Sequence, residues 1–417
     1  MKYTSFFWFT VLLGLCMHPL HAKLSLQDCQ RFAFENSERL SIGDLRVLME
    51  KDRIAEVRGM ALPQLSAHVD YVAAGEAHRF LKKHKTINGK ASLIVPLFNF
   101  GGASNKISEQ ETRYEASLYD NERLKQEILY EVSQAYFRVL ESQKIENIVR
   151  QSLSTLEEQR RVSQDFYGQG LIHQNDLLLI DVQVAQREQD LIQASHNVAI
   201  SIARLNRLMG FQIDAPTEIE DILAEISWKA NLETCLKEAK ECHPELISLQ
   251  IQIKAACYAY KAEKGALYPS IYAFTDYSTT NDYTFPYTHG LDAGIGIEIN
   301  LFDGGTTWAK IRRREKEYLE LQYRYKGVEE DLELTVRTAY YQAIAASNKI
   351  PLALKGIQVS EENLKITQDQ FGEGFITTYD LLNDEERLAQ ARSNYWQALY
   401  DFHQARLDLC FAAGMIQ

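Results

Sequence analysis

Past residue 22 the 417-residue sequence holds no apolar run of the length a membrane-crossing helix requires. Cysteine is scarce. Of six, five lie beyond residue 22 (Cys29, Cys235, Cys242, Cys257 and Cys410), and no Cys-x-x-Cys pair occurs, so neither a dithiol redox centre nor a cysteine zinc site is expected. Five is odd, which leaves at least one thiol unpaired within a monomer. Cys235 and Cys242 stand on one expected helix, roughly 10 Å apart along its axis, too far for a direct bridge. They read as small apolar packing residues. Positive charge is in deficit, with 45 Lys and Arg against 57 Asp and Glu and a net charge of -12, which argues against a nucleic-acid partner. The signatures of bond-making chemistry are missing too: no HExxH, nucleophile elbow, phosphate loop or dinucleotide fingerprint occurs. The ten His residues are scattered, so no enzyme activity, metal site or cofactor is expected. His243, just before Pro244, reads as a local helix-start residue.

What is present begins with an export signal. Met1-Lys2 leads into FFWFTVLLGL and then His21-Ala22: a basic head, an apolar core and a small residue before a cleavage site. Residues 1–22 are therefore expected to be a signal peptide, with the mature chain starting near Lys23. Cys16 follows Gly14-Leu15, and a large Leu directly before a Cys is a poor lipid-attachment signal.

The remainder is written twice. ILYEVSQAYFRVLESQKI at 128–145 lies over LELTVRTAYYQAIAASNKI at 332–350, and FYGQGLIHQNDLL at 166–178 over FGEGFITTYDLL at 371–382. Tyr136 over Tyr340, Gly170 over Gly374, Asp176 over Asp380 and Gly210 over Gly414 share one spacing of 204 residues. Upstream the spacing is 206, with Cys29 over Cys235 and Pro63 over Pro269. Each copy reads as a shorter helix, a Pro, two strands, a Gly-Gly pair, a very long helix, a Gly-rich turn and a long returning helix. The expected division is residues 23–210 for the first repeat and 211–417 for the second, with strands about 65–98 and about 270–301.

From Ala103 to about Phe166 no Pro occurs, which predicts a helix of roughly 95 Å. Its counterpart runs from Thr306 to about Phe371, where Pro351 is expected to kink or break it. The returning helices span Ile172–Met209 and Ile376–Ala413. Helices this long far exceed the globular average of about 12 residues and must pack along their length.

GLDAGIGIEINLFDGG, Gly290–Gly305, alternates: Leu291, Ala293, Ile295, Ile297, Ile299 and Leu301 fall on one parity, and Asp292, Gly294, Gly296, Glu298 and Asn300 on the other. Leu93, Val95 and Leu97 align with Ile297, Ile299 and Leu301 in the first copy, and Leu65, Ala67, Val69, Tyr71 and Ala73 form the apolar parity of the preceding strand. The polar segments EAHRFLKKHKTING and TNDYTFPYTHG join the strands. About ten alternating residues cross a bilayer when tilted, and they also suit any half-buried sheet. A lipid-embedded sheet cannot leave edges open, and four strands cannot close alone. A dimer would supply eight strands and a trimer twelve, a choice that sequence physics leaves open.

Together the duplicated order, PLFNFGG and NLFDGG after the second strands, and GFITTYDLLNDEERLAQARSNYWQALYDFHQARLDL after the last turn resemble the outer membrane efflux protein family. The resemblance runs from LSLQDCQRFAFENSERL to LDLCFAAG. It implies a mixed, mostly α fold: a trimeric channel-tunnel with a shared 12-stranded outer-membrane β-barrel and a long periplasmic α-helical barrel. The implied function is an outer-membrane exit duct, extending into the periplasm, that conducts substrate delivered by an inner-membrane pump through a periplasmic membrane-fusion adaptor. Drug efflux and protein secretion both fit.

Pro63 and Pro269 would then sit where helix gives way to strand, and Gly101-Gly102 and Gly304-Gly305 where strand returns to helix. Gly168, Gly170, Gly372 and Gly374 would let the tip turns bend, and Leu171, Ile172, Phe375 and Ile376 would be adaptor contacts or core of a tight turn. Asp380 matches the first aspartate of the family's periplasmic constriction, where a ring of like charge concentrates cations. The second aspartate is replaced by Asn383, and Asp384 is displaced by one position, about 100° around a helix. A single ring at Asp380 is therefore expected, and Asp384 through Glu386 otherwise read as a solvated acidic helix start. The alternative to a duct is a coiled-coil structural protein whose strands form a soluble sheet without a pore.

Overall fold

The computed structural model describes residues 23–74, 84–222, 231–281 and 288–416. The expected signal peptide lies outside them. Helix α1 (Leu26–Asn36) starts on a reciprocal cap in which the Ser25 hydroxyl accepts from the Asp28 N–H and the Asp28 carboxylate accepts from Ser25. Ser37 ends α1 in an extended conformation and starts α2 (Glu38–Met60) by accepting from the Leu40 N–H. The expected single shorter helix is thus two helices. The same break recurs at His243, which separates α5 (Leu232–Cys242) from α6 (Pro244–Gly265) and puts Pro244 in the first turn, where its missing N–H costs nothing.

The long helices are α3 (Gly102–Gly168) and α7 (Thr306–Gly372), each of 67 residues, and the returning helices are α4 (Gln174–Met209) and α8 (Thr378–Ala412). Contrary to expectation, α7 continues through Pro351. The proline ring faces outward. Ala346 and Ile350 just before it are buried against Ala398, Leu399 and Phe402 of α8, so packing holds the helical path where one backbone bond is lost.

Nearest the strands, the helices stand side by side in the order α2, α3, α6, α7. Towards the far end the order becomes α4, α3, α8, α7. Where the two tiers meet, Cys29, Val132, Tyr136, Leu140, Leu205 and Met209 form the first-copy core, and Cys235, Leu246, Val336 and Leu409 form its counterpart. Burial pushes the Cys29 thiol up to about 12, as befits a packing residue.

Strands β1 (Gln64–Ala74), β2 (His84–Phe98), β3 (Ser270–Asn281) and β4 (Thr288–Glu298) form one antiparallel sheet in chain order. The two hairpins of the two repeats are joined by β2 pairing with β3, with an irregularity at Pro96–Phe98. β2 reaches back to His84 into what reads as a connecting loop, and β4 ends at Glu298, so Ile299 and Leu301 lie beyond it. Residues 75–83 and 282–287 of those connecting segments are outside the described set.

Candidate functional site

The register makes the sheet a two-faced wall. Leu65–Leu93–Thr275–Ala293 and Ala67–Ala91–Tyr277–Leu291 run across all four strands on one face. Ser66–Ser92–Asp276–Asp292 and His68–Lys90–Ser278–Gly290 run across the other. The first face leaves Leu65, Val69, Leu291, Ile295 and Ile297 exposed. The second carries a Lys90–Asp276 ion pair at 3.2 Å. Its bare positions on β4 are not empty: a Cβ added to Gly296 would come within 2.5 Å of the Tyr272 ring, and one at Gly294 within 3.1 Å of Phe274. The aromatics of β3 cover the glycines of β4, which is why that parity carries so few side chains. Among the described residues β1 pairs only with β2 and β4 only with β3, so both outer strands keep a free edge.

At the junction between wall and helices, Pro63 and Pro269 immediately precede β1 and β3. Gly101 (φ 82°) and Gly305 (φ 86°) start α3 and α7 in the left-handed region, preceded by Gly304 (φ 67°). Gly102 is the first residue of α3, and it is approached by Gly265, whose added Cβ would lie 3.0 Å from the Gly102 backbone. Two residues absent from the sequence reading complete these starts. Asn99 Oδ1 accepts from the Ala103 N–H at 3.1 Å, and Asp303 Oδ2 accepts from the Thr307 N–H at 2.8 Å. Their position just before each glycine pair, 204 residues apart, was the available signal.

At the other end, both turns close the same way. Gly170 (φ 73°) donates to Tyr167 O and Leu171 to Phe166 O; Gly374 (φ 78°) donates to Phe371 O and Phe375 to Gln370 O. These paired bonds satisfy the last carbonyls of each long helix, and only a residue tolerant of positive φ can make them. Of the four expected bending glycines, Gly170 and Gly374 bend, whereas Gly168 and Gly372 remain inside α3 and α7. Leu171 and Phe375 project, 65% and 76% exposed. Ile172 and Ile376 are half-buried, and Ile376 packs against a cluster of Leu364, Phe371, Leu381 and Leu388. Phe166 and Phe371 meet at 5.9 Å between centroids, which draws the two tips together.

Asp380 is the third residue of α8 and closes a capping box: Thr377 donates to it through its hydroxyl at 2.6 Å and its N–H at 3.1 Å. Those two bonds hold the carboxyl below the usual range, and it stays exposed and ionised. Asn383 is half-buried. Asp384 is buried in the α7–α8 seam, accepting from the Thr367 hydroxyl at 2.6 Å and pairing with Arg387 at 3.2 Å.

The run Asp384–Glu386 is therefore not a solvated helix start. Glu385 is buried as well, accepting from Gln159 of α3 at 2.9 Å and Gln368 of α7 at 3.4 Å, and burial raises its pKa. Glu386 is exposed and pairs with Arg187 of α4. Sequence reasoning missed this seam because long-range partners are invisible to a local charge pattern. Among the described residues no group of three or more His, Cys, Asp or Glu could hold a metal ion.

Comparison with known proteins follows the same outline. The family model described as outer membrane efflux protein matches residues 33–211 and 235–415. The chain is 27% identical over 347 residues to the alkaline protease secretion protein AprF of Pseudomonas aeruginosa, covering 78% of this chain and 69% of that protein. It is 21% identical over 386 residues to the outer membrane efflux protein BepC of Brucella suis, covering 92% and 83%. Among solved structures it is similar to CusC, with TM-score 0.83, 15% identity and 95% of each chain covered. It is also similar to the open state of the Neisseria gonorrhoeae MtrE outer membrane channel, with TM-score 0.78, 17% identity and 93% and 88% covered.

Proposed function

Because the chain belongs to the outer membrane efflux protein family, and so serves as an outer-membrane exit duct for efflux or secretion, we propose that it does so as a ring of three copies. Members of this family typically function as homotrimers with adaptors and inner-membrane pumps. Three sheets of four strands would close a twelve-stranded barrel, apolar face to lipid and polar face to a water-filled bore. The observation that carries this reading is the four-stranded sheet with one greasy face and two free edges. In lipid those edges must pair, and further copies of the same sheet are the available partners. The expected halves, residues 23–210 and 211–417, each contribute a hairpin, a long helix and its return.

Substrate arrives from a pump through an adaptor, which meets the projecting Leu171 and Phe375 with Ile172 and Ile376 behind them. Asp380 contributes one carboxylate per copy to a cation-favouring ring at the periplasmic entrance. Transport through the open duct is passive, because the wall and tips offer a path and no reacting group. Single-channel recording of the refolded mature chain tests this. The expected result is a cation-preferring conductance from a trimer, with the preference reduced in Asp380→Asn. An unchanged preference would remove the ring and leave the duct. A water-soluble monomer without conductance would favour a pore-free coiled-coil protein instead.

A further inference from the structure

A cavity of about 950 Å³ opens where α1 gives way to α2 and α4 comes to its end, and four arginines line it: Arg39 of α2, Arg138 of α3, and Arg204 and Arg207 of α4. At the corresponding positions of the second repeat, 206 or 204 residues on, stand Glu245, Gln342, Asp408 and Phe411. The same helical junction, with its matching core, is thus built a second time without any of these cations. The fold does not require them. In a chain of net charge -12, four arginines around one cavity need another reason.

Two of the four are engaged. Arg39 donates to both oxygens of Glu131 at 2.7 Å and reaches Glu127 at 3.4 Å. Arg138 pairs with Glu141 and lies 5.9 Å from the centre of the Tyr400 ring. Those partners fix both guanidinium groups in place. Arg204 and Arg207 are different: both are exposed, and among the described residues neither side chain forms an ion pair or a hydrogen bond. Their spacing of three puts them on one side of α4. Arg207 stands in the last turn of α4, where a cation suits the helix dipole, yet the last turn of α8 does without one. Besides Glu131, the carboxylate on the cavity wall is Glu38, in the first turn of α2, where the opposite end of a dipole favours it.

The cavity faces the duct. Cys29 and Ala33 of α1 share a core with Val132, Tyr136 and Leu140 of α3, whereas Glu131, Gln134 and Arg138 line the cavity, roughly 165° around the same helix. Three copies of four helices standing side by side about 10 Å apart make a ring about 38 Å across, and six more helices laid inside would fill its bore. In such a ring α1 and α5 stand outside, and the cavity opens inward.

We infer that Arg204 and Arg207, with Arg39 and Arg138 beside them, form a binding site for an oxyanion, a carboxylate or phosphate group, on the substrate passing through the duct. The guanidinium fork matches both groups bidentately, and two forks without a resident partner can take one without displacing a carboxylate of the protein. The inference rests on the duct reading above and adds a substrate class to it: beyond a cation-favouring entrance, the waist holds molecules that carry negative groups.

The test uses the full mature chain in detergent at about 0.15 M salt, where loose attraction to surface charge is screened. Titration calorimetry with inorganic pyrophosphate, and separately with citrate, is run on three proteins. They are the wild type, Arg204→Gln with Arg207→Gln, and Arg312→Gln with Arg313→Gln, which removes the same charge outside the cavity. The expected result is binding of at least one anion to the wild type, weakened about tenfold or more in the first variant and unchanged in the second. The anion held more tightly names the group recognised. Undiminished affinity in the first variant, or equal weakening in both, would overturn the site. Circular dichroism is expected to be alike for all three, and loss of helix in the first variant would assign these arginines a structural role instead. Conductance of the same samples in planar bilayers keeps the two levels apart. A conducting wild type that binds neither anion overturns the site and leaves the duct standing; a chain that never conducts overturns the duct, and this inference with it.

Discussion

Asp176 and Asp380 stand in different repeats and make the same bond, each carboxylate accepting the backbone N–H three positions earlier, from His173 at 3.0 Å and from Thr377 at 3.1 Å. The shared bond assigns both aspartates a capping role, on which any electrostatic role of Asp380 is superimposed. Replacing either by Asn is expected to lower the melting temperature by a similar amount, whereas only Asp380→Asn should shift the reversal potential in a salt gradient. Equal shifts from both variants would show that the effect comes from the turns and not from a ring at Asp380. Because the folded pKa of Asp380 lies below its unfolded value, its contribution is present above the unfolded pKa and fades as pH falls through the folded one.

Only two of the four tip glycines are held in the left-handed region, and they should respond differently from the others. Gly374→Ala is expected to cost about 1–2 kcal/mol, the penalty of that conformation for a residue with a Cβ. Gly372→Ala should be neutral or stabilising by up to about 1 kcal/mol, since it is helical and surrounded by open space. Thermal unfolding of the two variants side by side decides this.

Glu385 offers a pH signature of opposite sign. Burial raises its folded pKa above the unfolded value, so the associated stability is complete below the unfolded pKa and is lost as pH rises through the folded one. Glu385→Gln should therefore melt higher than the wild type near neutral pH, with the gap closing on acidification. A variant that melts lower than the wild type near neutral pH would mean that the Gln159 hydrogen bond and the Arg392 charge, which pull the other way, outweigh burial.

On the sheet, Gly296→Val should prevent assembly, because its Cβ would meet the Tyr272 ring. Adding Tyr272→Ala should restore assembly, seen as heat-modifiable migration on gels. If the double variant behaves no better than the single one, the defect lies in the strand backbone and not in the ring above it.

The tip predicts a division between contact and support. Phe375→Ser should leave the melting temperature within experimental scatter and reduce export in the presence of its adaptor. Ile376→Ser should lower stability by about 1–2 kcal/mol, because Ile376 packs into the tip cluster. Reduced stability in the Phe375 variant would refute the assignment of that side chain to an outward contact.

Much of this architecture was legible because it is written twice: the repeat spacing, the strand alternation and the glycines at Gly170 and Gly374 all follow from local pattern. What escaped the sequence depends on partners far along the chain. The break at Ser37 lacks the proline that marks its twin at Pro244. Pro351 looks like a helix stop until the buried faces on either side of it are seen to hold α7 in line. Asp384 and Glu385 look wet until Thr367 and Gln159 are brought against them. The pairing of β2 with β3 belongs to neither hairpin, so no reading of a single repeat could have found it.

The helices α3 and α7 reach from the strands to the far turns without a joint, about 100 Å each. A shaft without an elbow passes a twist applied at one end to the other with little loss. A load applied at Leu171 and Phe375 would therefore be delivered at Gly101 and Gly305, the left-handed residues from which the two shafts start.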